Sequence, residues 1–249
     1  MAHVAEQMLN GELWNIVPAV VIADRECGAI QKARQLQIET VLIKKSDFPG
    51  NREKWAREIG RALMQHRVDM IFQNWWVPLT PGYVIDRWPD ILNQHPGPLS
   101  GNGKPDFGGK GMCGTAVTAA RILYLLEKGE EDPEKLTTES TVHVVTSGID
   151  EGHIVRIEPY SLHWVINLCR KNGITSTETA EAKALQFDTF VKTAQWELLN
   201  VEHVNVGKVL SDRAKGHRTR VDKDERATWI DPAVLAKAKA TAIKMYPTK

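Results

Sequence analysis

Between residues 17 and 95 the chain alternates short apolar, β-branched runs with stretches of helical spacing, and the connections between them are short. VPAVVIA (17–23), bounded by Asn and Asp, has the pattern of a buried strand. GAIQKARQLQ (28–37) follows as a helix and TVLIK (40–44) as a second strand. NREKWAREIGRALMQHR (51–67) puts Trp55, Ile59, Ala62, Leu63 and His66 on one helical face. VDMIF (68–72) returns to strand, PGYVIDRW (81–88) to a short helix with Pro at its start, and DILNQH (90–95) to strand. A βαβαβαβ order with such connections predicts an α/β fold, a mostly parallel sheet with helices on both faces.

The second half has a different texture. GTAVTAARILYLLEKGE (114–130) is rich in Ala and Leu and reads as a helix. STVHVVT (140–146) and HIVRIEPYS (153–161) alternate as paired strands joined by SGIDEG. A long helix is expected over 177–200, with Phe187, Phe190, Val191 and Ala194 in one stripe. Residues 1–204 are therefore taken as one domain and 205–249 as a C-terminal helical extension too short for its own core. Within the extension, 211–229 is dense in charge, and 231–246 has helix formers behind an Asp-Pro start.

A net charge of +1 gives no reason to expect nucleic acid as a partner, and a solvated face is the expected role of the basic cluster at 213–220. No apolar run reaches the roughly 20 residues of a membrane span, and MAHVAEQMLNGELW lacks the basic and apolar regions of a signal peptide. The three cysteines, Cys27, Cys113 and Cys169, are scattered and odd in number, which argues against a disulfide framework and suits a reducing cytoplasm. Cys113 is expected to be a small buried thiol rather than a nucleophile.

Ligands of open α/β sheets collect at the carboxyl ends of the strands. Asn93 and His95 emerge at such an end, where position alone allows either a chemical role or capping of the turn before Pro96. Taken with TVHVV (141–145) and the D-x-G turn at Asp150, the N-x-H-P stretch resembles the glycinamide ribonucleotide (phosphoribosylglycinamide) formyltransferase family over roughly residues 5–204. The resemblance implies a Rossmann-like formyltransferase fold. It also implies transfer of a formyl group from the co-substrate 10-formyltetrahydrofolate to a small-molecule amine, phosphoribosylglycinamide in purine synthesis being the first candidate.

Under that resemblance Asn93 supplies an oxyanion donor, His95 moves protons and Asp150 orients the imidazole. Ser140 and His143 match a Thr and a His kept near the family's site; for His143, support of the site and a plain core position are both open. Trp76, Val77, Pro78 and Leu79, with Thr146 and Ile149, correspond to the folate pocket. Trp75 and Trp76 differ from the family's smaller residues, and Val77 stands where an Arg is frequent. Asp150 and His153 make only two candidate metal ligands, so no metal is expected.

Three departures bear on the acceptor. The opening segment resembles the end of the family's first helix, so the first strand and its phosphate loop are expected to be missing. Gly97, Pro98, Leu99 and Ser100 replace the residues usual after His-Pro. An insert, GNGKPDFGGKG, then brings five glycines and two lysines. Lys104, Gly108, Gly109 and Lys110 are its candidates for holding a substrate anion, the other reading being a surface lid. Finally, alignment puts Lys183 near a substrate-contacting Glu of the family. Two alternatives stand beside transfer: a formyltetrahydrofolate deformylase using water, and a weakened folate-binding homologue. Homo-oligomerisation is left open.

Overall fold

The β-branched runs pair as parallel strands, though over fewer residues than their apolar lengths suggest. The computed structural model describes residues 2–100, 106–221 and 230–247. The chain divides into two units, the first made of Met1–Asn93, Val144–Gly148 and Val206–Arg218.

In this unit helix α1 (Ala2–Leu9) precedes strand β1 (Val21–Ala23), then come α2 (Gly28–Gln35), β2 (Thr40–Leu42), α3 (Arg52–Gln65), β3 (Ile71–Gln73), α4 (Gly82–Arg87) and the start of β4 (Ile91–His95). β1 and β2 run parallel, with Val21 opposite Thr40 and Ala23 opposite Leu42. β3 and β4 also run parallel, in a register that sets Gln73 beside Asn93. Residues 17–20, expected as strand, lie outside the ladder, and Val17 is 82% exposed. Pro18 has no N–H to give to a neighbouring strand.

α3 begins where the Asn51 side chain accepts from the Lys54 N–H at 3.0 Å. It buries Trp55, Ile59 and Leu63 in a cluster with Ile43, Val84, Trp88 and Ile91. Two indoles in that cluster are satisfied by backbone. Trp55 donates to the Ile43 carbonyl at 3.2 Å and Trp88 to that of Val68 at 2.9 Å. His66, expected on the buried face, is the half-buried C-cap of the helix.

The second unit, Gln94–His143, Ile149–Asn205 and Thr219–Lys249, is built on a second core. Its elements are α5 (Thr115–Lys128), β5 (Thr137–Val144), β6 (Ile154–Ser161), α6 (His163–Lys171), α7 (Thr177–Ala182), α8 (Ala184–Ala214) and α9 (Pro232–Met245). β5 and β6 are antiparallel, with a bulge at Val142/His143 that offsets the ladder just where His143 projects. Such a bulge re-aims the side chain that follows it. α5 is buried along most of its length and packs against α9 through a cluster containing Ala238 and Ala242.

The expected helix over 177–200 is two helices. Lys183 sits between them with φ −116° and ψ 38°, and its ammonium donates to the Asn172 carbonyl at 2.5 Å. α8 then continues to Ala214 before Gly216 takes a left-handed conformation. α6 forms over a segment for which the residue spacing predicts no element. Among the described residues no helix is long and apolar enough to cross a membrane.

Candidate active site

Within the second unit, two histidines distant in sequence gather around one carboxylate. β4 ends at His95, which is 4% exposed. β5 brings His143, 2% exposed, and the turn before β6 brings Asp150. The Asp150 carboxylate lies 3.8 Å from His95 Nδ1 and 3.6 Å from His143 Nε2. Its Oδ2 accepts the Gly109 N–H at 2.9 Å. Asp150 has φ 58°, a left-handed backbone that Asp tolerates better than most residues and that a tight turn demands.

On its other nitrogen, His95 Nε2 lies 3.2 Å from the Phe107 carbonyl. A carbonyl only accepts, so Nε2 carries the proton and Nδ1, the nitrogen nearer Asp150, carries the lone pair. Burial, the largest influence, pushes His95 down to about 4 against the pull of Asp150, so the ring is uncharged at neutral pH. For Asp150 burial pushes upward, but the donors His143 and Gly109 and the nearby His95 outweigh it and hold the carboxyl at about 2. The site therefore pairs a neutral imidazole with a fixed carboxylate.

The turn after His95 is shaped by what surrounds it. A Cβ on Gly97 would meet Val117 Cγ1 at 2.4 Å, which explains glycine here. Thr141 on β5 donates to the Gly97 carbonyl at 2.9 Å. Gly108 is equally confined, since a Cβ there would lie 2.7 Å from Asp150 Oδ2. The glycines of this loop thus bring backbone up to a carboxylate, and the one that the Gly109 amide meets is the chain's own Asp150. Lys110 is exposed, and Lys104 lies outside the described residues.

The other expected residues fall as follows. Asn93, in the first unit, is half-buried on β4 opposite Gln73 and two positions before His95, so the pleat gives both the same face. Ser140 is fully buried and is held by Asn205, whose amide donates to its carbonyl at 2.8 Å and to its hydroxyl at 3.1 Å. In the first unit Trp76 stacks on Trp55 with ring centroids 5.9 Å apart, while Val77 and Leu79 are exposed and Pro78 and Thr146 half-buried. In the second unit Ile149 is exposed. Cys169 is buried, which holds its thiol up at about 12, whereas Cys113, expected to be buried, is exposed just before α5.

Two participants went unread in the sequence. Phe107 contributes only a carbonyl, which no side-chain pattern reveals. Lys239 of α9 donates to the carbonyls of Asp106 and Gly108, yet it sits in an Ala/Lys-rich helix where one lysine looks like any other.

Residues 2–160 match the formyl transferase family. The chain is a member of that family. Its sequence is 28% identical to a phosphoribosylglycinamide formyltransferase of Mycobacterium tuberculosis over 146 residues. That match spans 57% of this chain and 59% of the relative, so the chain is matched over little more than half of its relative's length. Among solved structures, this formyl transferase family member resembles glycinamide ribonucleotide transformylase 1 from Symbiobacterium toebii, with TM-score 0.62 and 21% identity over 88% of this chain and 87% of that one. It also resembles phosphoribosylglycinamide formyltransferase from Bacillus halodurans, with TM-score 0.61 and 18% identity over 85% and 87% of the two chains. At those identities the likeness speaks for the Rossmann-like fold.

Proposed function

We propose that this formyl transferase family member moves a formyl group from 10-formyltetrahydrofolate to an amine, with phosphoribosylglycinamide the first acceptor to test. The observation that carries the reading is an uncharged, buried His95 whose Nδ1 faces an ionised Asp150 at 3.8 Å.

The chemistry needs a proton carrier that does not keep its proton. As the amine nitrogen attacks the formyl carbon it must lose a proton, and the departing folate nitrogen must gain one. His95 accepts on Nδ1 beside the Asp150 carboxylate, which offsets part of the cost of a buried imidazolium. Because burial keeps that ring weakly basic, the proton passes on rather than staying. The carbonyl oxygen takes up negative charge meanwhile, and the carboxamide of Asn93 is the donor for it. Collapse breaks the bond to folate, giving tetrahydrofolate and the N-formyl amine. Val77 and Leu79, exposed in the first unit, are the first residues to test for contact with the folate ring.

The test is formation of tetrahydrofolate from 10-formyltetrahydrofolate, with and without phosphoribosylglycinamide. Amine-dependent turnover supports transfer. Formate release at the same rate without amine makes the protein a hydrolase, and binding of the folate with neither product makes it a non-catalytic homologue.

A further inference from the structure

We propose that Lys239, on the C-terminal helix α9, is a positioning residue for the His95–Asp150 pair, acting through the carbonyl groups of Asp106 and Gly108. The proposal rests on that pair being the reacting one.

The ammonium of Lys239 donates to the Asp106 carbonyl at 3.0 Å and to the Gly108 carbonyl at 2.8 Å. Between those two carbonyls lies that of Phe107, which fixes the His95 proton on Nε2. The next amide, Gly109, is the one that donates to Asp150. Four consecutive residues thus connect one cation to both members of the pair. The segment lies outside any helix or strand; the Phe107 N–H donates to the Pro98 carbonyl at 3.2 Å, and the Asp106 and Gly108 carbonyls are met by Lys239. A cation clamping two carbonyls makes charge-assisted hydrogen bonds, about twice as strong as neutral ones.

Anchoring α9 does not require this lysine. Ala238 and Ala242 are fully buried against the core that contains α5. Asp231 caps the helix by accepting from Ala233 and Val234 at 2.8 and 3.1 Å. Lys237 reaches Glu127 and Glu178 at 2.6 and 2.7 Å, and Lys244 reaches Glu181 at 3.0 Å. Lys239 instead turns inward, where burial draws its pKa down against the opposing charges of Asp106 and Asp150. Half-burying an ammonium for packing alone is costly. Setting three carbonyls and one amide in place is a use that matches the cost.

The charged and titratable groups acting on His95 are Asp150, His143 and Lys239. In the intact protein, nitrogen NMR of the histidine rings is expected to find His95 as the Nε2–H tautomer, uncharged until the pH nears 4. In full-length Lys239→Met the four-residue segment loosens and water reaches the ring. The His95 titration then moves up by about one unit or more, since burial and the ammonium's own charge both hold it down, and the repositioning itself is read from loss of the single Nε2–H tautomer. Formyl-transfer kcat falls about ten- to a hundredfold while KM for the folate stays within about threefold, the signature of misplacement rather than lost binding. A folded variant whose His95 keeps its tautomer and titration overturns the proposal, whatever its activity. If the variant does not fold, the wild type decides: an Nδ1–H tautomer or titration near the ordinary histidine value overturns it. Absence of formyl transfer in the wild type, with the NMR result intact, would instead sink the assigned reaction and leave the positioning contact standing.

Discussion

At the scale of single residues, the site depends on which atoms hold protons. His95 takes up a proton near 6.5 in the unfolded chain and near 4 when folded. Between those values the unfolded chain binds more protons, so the imidazole costs stability increasingly as pH falls through that window. In the proposed mechanism the same shift sets the kinetics. The acid limb of kcat/KM is expected near pH 4 to 5, well below that of an exposed histidine, and a limb centred near 6.5 would show a solvated ring. Gly108→Ala is a sharper probe of packing. Its methyl would lie 2.7 Å from Asp150 Oδ2 and 2.9 Å from Leu99 Cδ2. The carboxylate must move, and stability is expected to fall by about 1–3 kcal/mol in urea denaturation, as for other overpacked positions. An unchanged midpoint would mean that the turn is softer than its contacts imply.

At the scale of elements, β4 is the informative case. Asn93 and His95 take one face and Gln94 the other, and all three precede Pro96. The site face was legible because polar side chains at a strand end, a D-x-G turn and a His-bearing strand form a pattern. The contacts that hold the pair were not, since Asp150 is met by His143 from a strand bulge and by the Gly109 amide, and His95 by the Phe107 carbonyl, and bulges and backbone groups leave no trace in residue type. The element boundaries shifted for a related reason. The apolar run at 17–20 is neither buried nor paired: Val17 is 82% exposed, and the strand starts only where Val21 meets Thr40.

α8 carries a second titration, opposite in sign. Burial pushes the Glu202 carboxyl up to about 7 from an ordinary 4.5. Its cost therefore appears as pH rises through that window, because the folded chain then holds the proton that the unfolded chain releases. Glu202→Gln is expected to gain up to about 3 kcal/mol at pH 8 and far less at pH 5. Thermal or urea denaturation at both pH values checks it. An equal effect at the two would mean that the carboxyl is not uncharged in the fold.

At the scale of the whole molecule, the alternation read over 17–95 and the pairing read over 140–161 both correspond to elements of the structure, and the family match covers residues 2–160. α8 runs on to Ala214 without a break near 205, and α9 supplies a lysine to the loop at 106–109. By composition everything after 204 looks like an appendage, because that segment is short and rich in charge. Short helices without a core of their own gain their place by packing on one that exists, and composition does not record against what. The most direct measurement is the rate of tetrahydrofolate release with phosphoribosylglycinamide present, in the wild type, Asn93→Ala and His95→Gln. Amine-dependent release that drops by about two to three powers of ten in each variant is expected; release that ignores the amine, or that survives in both variants, would contradict the assignment.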